Sequence, residues 1–534
     1  PAIFQAAGEA GARVLCGQGT APAGATIGAF RDLGLDVIPG SGLLPAVVPG
    51  AFDAWMLLLR DYGTLSLRGV LEGAIGYAEQ GVPVLPKMAM LIERVAPLFS
   101  GYWPSSAAVY LDRGAPPPAG SWLANPALAA SYARIVDEAE AATRDREGQI
   151  EAARRIWAEG WVAEAIDRFY RSERLLDASG AAHGGFLTGA DMAGWRAHYE
   201  APVTGSFAGL TVAKCGFWSQ GPVMLQQLAM LAGVDLAAMA PDGAEFVHTV
   251  TEIAKLAYAD REAWYGDPAF VDVPAETLLS PAYAAERRRL VTDTASLELV
   301  AGAPDGRPPD LAPALAPSGD AGEIGHYWSL AEPAVTPLGA ARGDTVHLDI
   351  ADRFGNVISA TPSGGWLQSA PVVPELGFCL SVRGQMFWLD EAAPAALAPG
   401  KRPRTTLSPS LALRDGAACI AWGTPGGDQQ DQWSTLLLLQ HVVHGRNLQE
   451  AIDAPAFHSE HFPSSFWPRG RSPGALMVEG RFPRETVAAL EGRGHRVTVG
   501  GDWSEGRLTA ISREGVELKA GANPRGMQGY AIGR

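Results

Sequence analysis

Apolar positions along this chain repeat at two different periods, and the change of period divides it. From about residue 51 to 293 the helical spacing of three and four dominates. "FDAWMLLLRDYG" carries an apolar stripe that ends at Gly63, and "SLRGVLEGAIGYAEQG" opens on Ser66 and stops at Gly81. "NPALAASYARIVDEAEAATRDREGQIEAARRIWAEGWVAEAIDRFYRSE" reads as one long helical tract. "GPVMLQQLAMLAGV" and "GAEFVHTVTEIAKLAYADREAWYGDP" predict further helices, and a strand, "YEAPVTGSFAGLTVAKC", interrupts them. Residues 1–50 predict strands and loops. After residue 344 the period falls to two. Thr345-Val346-His347-Leu348-Asp349-Ile350 predicts a half-buried strand that begins on the threonine. A turn at Arg353-Phe354-Gly355-Asn356 leads to a second strand, Val357-Ile358-Ser359-Ala360-Thr361. Hairpins are predicted around Arg414-Asp415-Gly416 and Arg513-Glu514-Gly515, with helices over "DQWSTLLLLQHVVHG" and "PRETVAALEGRG". Between the two regimes, residues 294–344 are rich in Pro, Gly and Ala without periodicity and read as a mobile linker.

Composition narrows the function classes. The 534 residues carry 42 basic and 58 acidic side chains, a net charge of −16, with no cluster of Lys and Arg among aromatics, so nucleic acid is not the expected partner. No apolar run approaches the roughly 18 residues of a membrane span, and no signal-peptide pattern is visible, so a soluble chain with no membrane partner is expected. The compartment stays unassigned. The chain begins on Pro1, and a natural N-terminal segment is expected to precede it. Cys16, Cys215, Cys379 and Cys419 are scattered without a C-x-x-C and are expected to be buried free thiols. His458 and His461, in "FHSEHFP", lack the H-E-x-x-H spacing. No metal and no cofactor is expected.

The candidate chemistry starts from Thr345. An internal threonine needs a base within reach, but one at a chain start carries its own, the α-amino group, with a pKa of about 7.7–8.0. A cut at Asp344–Thr345 would expose it; without the cut, Thr345 is an ordinary residue opening a strand. Ser363 lies at the far end of the hairpin, which antiparallel pairing brings back beside the strand start. His347, two residues on from Thr345, shares its strand face. In "WGTPGGDQQDQW", Gly426 and Gly427 either offer two N–H groups to an oxyanion or make a strand–helix turn. In "KRPRTTLSPS", Thr405 and Thr406 either bond a substrate or cap a turn.

These elements, in this order and from about residue 10 onward, resemble the γ-glutamyltransferase (γ-glutamyltranspeptidase) family of N-terminal-nucleophile hydrolases. "GDTVHLDIADRFGNVISAT" is similar to the family's T-x-H-x-x-x-x-D-x-x-G-N start of the small subunit, "GKRPRTTLSPS" to its G-K-R-P-x-S-S-x-x-P segment and "GTPGG" to G-S-P-G-G. "VPGAFDAWMLLLRDYGTLSLRGVLEGAIGYAEQGVPV" and "AKLAYADREAWYGDPAFVDVP" resemble its first helical block and the helix before its linker. The resemblance implies an α+β fold, the four-layer αββα sandwich. It also implies one precursor that cuts itself at Asp344–Thr345. A large subunit, residues 1–344, and a small subunit, residues 345–534, would then be partners within one structural domain. It implies Thr345 as nucleophile and, through its amine, general base. Ser363 stands where the family has a threonine bonded to that amine. Gly426 and Gly427 stand at the oxyanion hole, and Thr405 and Thr406 where two serines bind the substrate carboxylate.

Departures from the family pattern touch the substrate. Gln18 falls where glutathione-cleaving members have an arginine, Gly365 where they have an asparagine, and Trp388 near their ammonium-binding aspartate. "TPSGGW" and "GQMFW" look more like the acylase and amidohydrolase branch, with Trp366, Phe387 and Trp388 lining an apolar acyl pocket. The reading is an amide hydrolase or acyltransferase acting on a small-molecule amide through an acyl-enzyme. A glutathione-cleaving γ-glutamyltransferase and a non-catalytic binding relative are the alternatives, and weak activity on glutathione is expected.

Overall fold

The computed structural model describes residues 1–315, 345–364, 367–525 and 529–533, so Asp344, Gly365 and Trp366 lie outside the described residues. Two antiparallel sheets organise it. In the first, the strands run in the order Leu348–Ala351, Val357–Ala360, Ala2–Gln5, Arg13–Cys16, His198–Glu200. In the second the order is Glu517–Ala522, Thr509–Glu514, Ala417–Gly423, Ser410–Arg414, Leu210–Lys214, Val203–Phe207. Both predicted tight hairpins close as expected; at the first, Asp415 and Gly416 take φ of 52° and 81°, the left-handed pair that a two-residue turn between twisted strands requires.

The period-two pattern has a direct spatial meaning, because successive side chains of a strand point to opposite faces. Ile3, Val14, Leu411 and Ala421 belong to a cluster shared by the two sheets. Their neighbours Phe4 and Leu15 instead meet Ala54 and Leu57 of the helix Ala51–Tyr62. Ala412, Ile420 and Trp422 meet the helices Pro222–Leu231, Ala244–Trp264 and Gln430–Val442. Each sheet thus has one face on the other sheet and one on helices. A further helical cluster, built around Phe99, Trp103, Ile135 and Ile166, packs helices of the 86–172 region together.

Several expectations need correction. The strand begins at Leu348, not Thr345. Opposite Val346 stands Pro362, which has no N–H to donate, so only the bond from the Val346 N–H to the Pro362 carbonyl (3.2 Å) remains there. The long helical tract is three helices, Pro126–Ala142, Arg146–Glu159 and Trp161–Ser172, broken at the Asp145 cap and at Gly160. The single strand expected over 199–215 is the end of His198–Glu200 followed by the hairpin Val203–Phe207 and Leu210–Lys214, because Pro202 stops the first and the Ala208-Gly209 turn splits the rest. A short helix, Ile27–Asp32, capped by Thr26, lies within residues 1–50. Residues 294–315 are not a mobile linker. Leu299 is buried, the Ser296 N–H donates to Glu252 (3.0 Å), and the Gly302 N–H donates to Asp260 (2.8 Å). The rest of that stretch lies outside the described residues. Cys16 and Cys215 are buried, whereas Cys379 and Cys419 are partly exposed. No helix among the described residues is long and apolar enough to cross a membrane.

Candidate active site

Thr345 sits at the open end of the Leu348–Ala360 hairpin, 9% exposed, and its Oγ1 donates to the Oγ of Ser363 at 3.2 Å. His347 does not join this pair. Its Nδ1 lies 2.8 Å from Thr361 Oγ1 and its Nε2 3.0 Å from the Asp349 carboxylate. Its ring also fills the space over Gly423, where a Cβ would come within 2.4 Å of the imidazole Cε1. The end of the Ala417–Gly423 strand is thereby pressed against the segment that carries Thr345.

The glycine loop follows at once. Gly426 has φ 130° and Gly427 φ 57°, conformations closed to most L-residues. A Cβ on Gly426 would lie 2.5 Å from Cζ3 of Trp433. The loop runs into the turn Gly427–Gln429 and the helix Gln430–Val442, so its N–H groups stand at a helix start, the usual place for an oxyanion. Neither N–H has an intramolecular acceptor among the described residues.

The contacts that hold this loop come from distant segments. The buried guanidinium of Arg261, on the helix Ala244–Trp264, pairs with Asp428, and Tyr258 Oη donates to the Asp428 carbonyl. Ser465 adds bonds to both carboxylate oxygens, 2.8 Å from its N–H and 2.6 Å from its hydroxyl. Burial alone would push the Asp428 carboxyl up, but Arg261 and Ser465 hold it below the usual carboxylate range. Gln220 ties the loop to the threonine pair: its N–H donates to the Thr405 carbonyl (2.8 Å) and its Nε2 to the Gly427 carbonyl (3.1 Å). Thr405 and Thr406 are both buried, and Arg383 Nη1 donates to Thr406 Oγ1 at 3.3 Å. Sequence reasoning missed this clamp. Its signal was the run of three charged residues, Asp260-Arg261-Glu262, inside a helix that is buried along nearly its whole length. Arg404 of the "KRPR" stretch answers it, 2.8 Å from Glu262. Arg383 carried no such signal.

A cavity of about 620 Å³ opens beside the hydroxyl pair, with Val346, Ser363, Gly364, Leu407 and Gln18 on its rim. Gln18 is buried and donates to the Gly19 carbonyl (3.1 Å). No Asp, Glu, Lys, Arg or His side chain is among the described residues that line the cavity. Trp388 and Phe387 are not part of this wall. Arg469 lies over the Trp388 ring at 4.1 Å, and Phe387 is buried in a separate cluster with Phe30 and Ile38. Thr345, Ser363, the cavity and Gln18 thus lie together, with the threonine pair and glycine loop joined through Gln220.

Two groups among the described residues bring three potential metal ligands within 4.8 Å: Cys16, His198 and Glu200, and His248, Glu252 and His495. In each the carboxylate already faces a cation. Arg402 pairs with Glu200, and Lys255 Nζ lies 2.6 Å from Glu252.

The solved structure described as LmbA2991HD is 52% identical, covers 100% of this chain and 90% of its own, and superposes with a TM-score of 0.93. The glutathione hydrolase-like YwrD proenzyme of Bacillus subtilis (strain 168) is 31% identical over 516 residues, 94% of this chain and 84% of its own length. The acylase ACY 1 proenzyme of Pseudomonas sp. (strain SE83) is 30% identical over 460 residues, 85% of this chain and 69% of its own length. Both curated relatives are hydrolases made as proenzymes, and this chain is an enzyme of that kind. The Gamma-glutamyltranspeptidase family profile matches residues 2–533, and the chain belongs to that family.

Proposed function

We propose that this protein is an autoprocessing amide hydrolase, with transfer to an amine as the variant outcome, and that Thr345 is its nucleophile. The observation that carries the reading is the Thr345–Ser363 hydroxyl pair at 3.2 Å, with Ser363 lining the cavity. Cleavage of Asp344–Thr345 frees the Thr345 amine. The amine takes the Oγ1 proton while Oγ1 attacks the amide carbonyl. The N–H groups of Gly426 and Gly427 receive the negative oxygen. The tetrahedral centre collapses, the C–N bond breaks, and the leaving amine departs with the proton from the Thr345 ammonium. Water then attacks the acyl ester with the same amine as base, releasing the acid and restoring the hydroxyl. Ser363 orients the nucleophile, and Thr405 and Thr406 bond the substrate.

This reading takes residues 1–344 and 345–534 as two subunits of one precursor forming one four-layer αββα domain. Its support is the pairing of Ala2–Gln5 with Val357–Ala360 across the two subunits, and sheets that meet on one face and helices on the other.

The test is a denaturing gel with N-terminal sequencing. Purified protein yields a second chain beginning Thr-Val-His-Leu, and Thr345→Ala stays one chain. Cutting at that bond in the alanine variant would remove Thr345 from self-processing. A wild-type protein that stays whole when folded points instead to a non-catalytic relative. Glutathione cleavage is the second reading, and one observation favours it: Arg383 beside Thr406 supplies a cation for a carboxylate.

A further inference from the structure

Four aromatic rings from four separate elements lie nearly parallel along one wall of the cavity. Tyr132, of the helix Pro126–Ala142, lies 6.4 Å from Phe52 at 17°. Phe52, of Ala51–Tyr62, lies 4.5 Å from Trp157 of Arg146–Glu159 at 14°. Trp157 lies 5.5 Å from Phe378, of the short strand Phe378–Cys379, at 13°. All four line the cavity. Ring pairs elsewhere in this protein are often edge-on, as Phe4–Tyr62 at 77° and Phe217–Tyr265 at 78° are. The Trp157 indole N–H donates to the Pro49 carbonyl at 3.1 Å, which sets the plane of the stack.

We propose that this cavity is the acyl-binding pocket and that it takes a neutral, flat aromatic acyl group laid against the Tyr132–Phe52–Trp157–Phe378 ladder, with the carbonyl at the Thr345–Ser363 end. The faces of Phe52 and Trp157 are covered by their ring neighbours, so a flat ring laid along the row gains edge-to-face contact with them in addition to the burial of its apolar area. The absence of charged side chains among the described lining residues works against the competing donors. A carboxylate or ammonium carried into the wall would lose water and meet no charged side chain among the described lining residues. Burial pushes the Tyr132 phenol up, so it faces the cavity as a neutral O–H able to donate to a ring substituent. The inference rests on the hydrolase reading for where the carbonyl goes, and on the ladder alone for what binds.

The experiment has two arms. In the first, the processed enzyme is given the p-nitroanilides of phenylacetic, acetic and γ-glutamyl acyl groups, and kcat/KM is compared. The phenylacetyl amide should exceed the acetyl amide by about a hundredfold, the scale of burying one aromatic ring. Phe52→Leu should cut that ratio about threefold to tenfold, the share due to ring–ring contact. Tyr132→Leu, at a half-buried position, should do the same should Phe52→Leu not fold. In the second arm, phenylacetamide is added to the Thr345→Ala chain, and maleimide labelling of Cys379, which lines the cavity, is followed by peptide mass. Binding should slow the labelling. Protection of Cys379 with no hydrolysis of any amide by the processed enzyme would support the pocket and count against Thr345. Efficient cleavage of the acetyl or γ-glutamyl amide, with the phenylacetyl amide untouched and Cys379 unprotected, would overturn the pocket and leave Thr345 standing.

Discussion

The side chains of Thr345 and Ser363, separated by 18 residues in sequence, meet at 3.2 Å because the hairpin between them folds back on itself. The register Leu348↔Ala360 extends to Val346 opposite Pro362, and the two hydroxyls fall one step further out, at the open end of the ladder.

This contact makes Ser363 testable. A hydrogen bond is worth about 0.5–1.5 kcal/mol when neutral and about 1.5–3 kcal/mol to a charged partner such as the freed ammonium. Ser363→Ala is therefore expected to lower kcat of the processed enzyme by about tenfold to a hundredfold, and Ser363→Thr to retain most of it. Steady-state kinetics on processed protein decide the matter; an unaltered kcat in the alanine variant removes Ser363 from the machinery.

The glycine loop separates activity from stability. Losing one oxyanion donor costs about 10²–10³ in rate, or about 2.7–4 kcal/mol. Gly427, at φ 57°, adds backbone strain of about 1–3 kcal/mol when substituted. Alanine keeps the N–H but disfavours this φ, so Gly427→Ala should fold with a lowered Tm and, as the strained backbone turns the N–H off the oxyanion, lose turnover steeply at temperatures where it stays folded. Gly426→Ala should lose more stability, since its Cβ would meet Trp433 at 2.5 Å. Full turnover in folded Gly427→Ala would assign the loop a purely structural role.

Glutathione provides the substrate test. Arg383 beside Thr406 offers a cation for its α-carboxylate, but no carboxylate among the described residues lines the cavity for its α-ammonium. One missing charged contact costs about 1.5–3 kcal/mol, a factor of about 10 to 10² in kcat/KM. Glutathione should therefore be turned over at least tenfold less efficiently than an uncharged acyl amide with a comparable leaving group. The reverse order would restore the glutathione-cleaving reading.

A buried ion pair predicts pH dependence. Burial would lower the pKa of His458, but the Glu505 carboxylate, 2.6 Å from its Nδ1, outweighs this and raises it to about 9. A folded pKa above the ordinary value of about 6.5 means that the stabilisation is complete below about pH 6.5 and is lost as pH rises through about 9. The full effect is on the order of 3 kcal/mol. Wild-type Tm, corrected for other groups by comparison with His458→Gln, should fall between about pH 6.5 and 9. Parallel Tm profiles for the two proteins would show that the pair does not titrate there.

Much of this molecule was legible in the chain itself. Helical spacing located the helices Ala51–Tyr62, Leu67–Gln80 and Ala244–Trp264, and period two located the hairpin around Arg353–Asn356. Family motifs singled out Thr345, Ser363, Gly426 and Gly427 without any knowledge of their contacts. Periodicity reports which face of an element is apolar, and a motif reports local chemistry; neither says what packs on that face. Only the tertiary structure could bring Arg261 and Ser465 onto Asp428, or place Trp388 against Arg469 and off the cavity wall. It also set Phe52, Tyr132 and Trp157, which the sequence presents as ordinary positions of helical tracts, in one stacked row along a cavity wall. The reason is physical: a side chain's direction follows from its own element, but its neighbours follow from how distant elements close-pack, and that packing is settled by the whole chain at once.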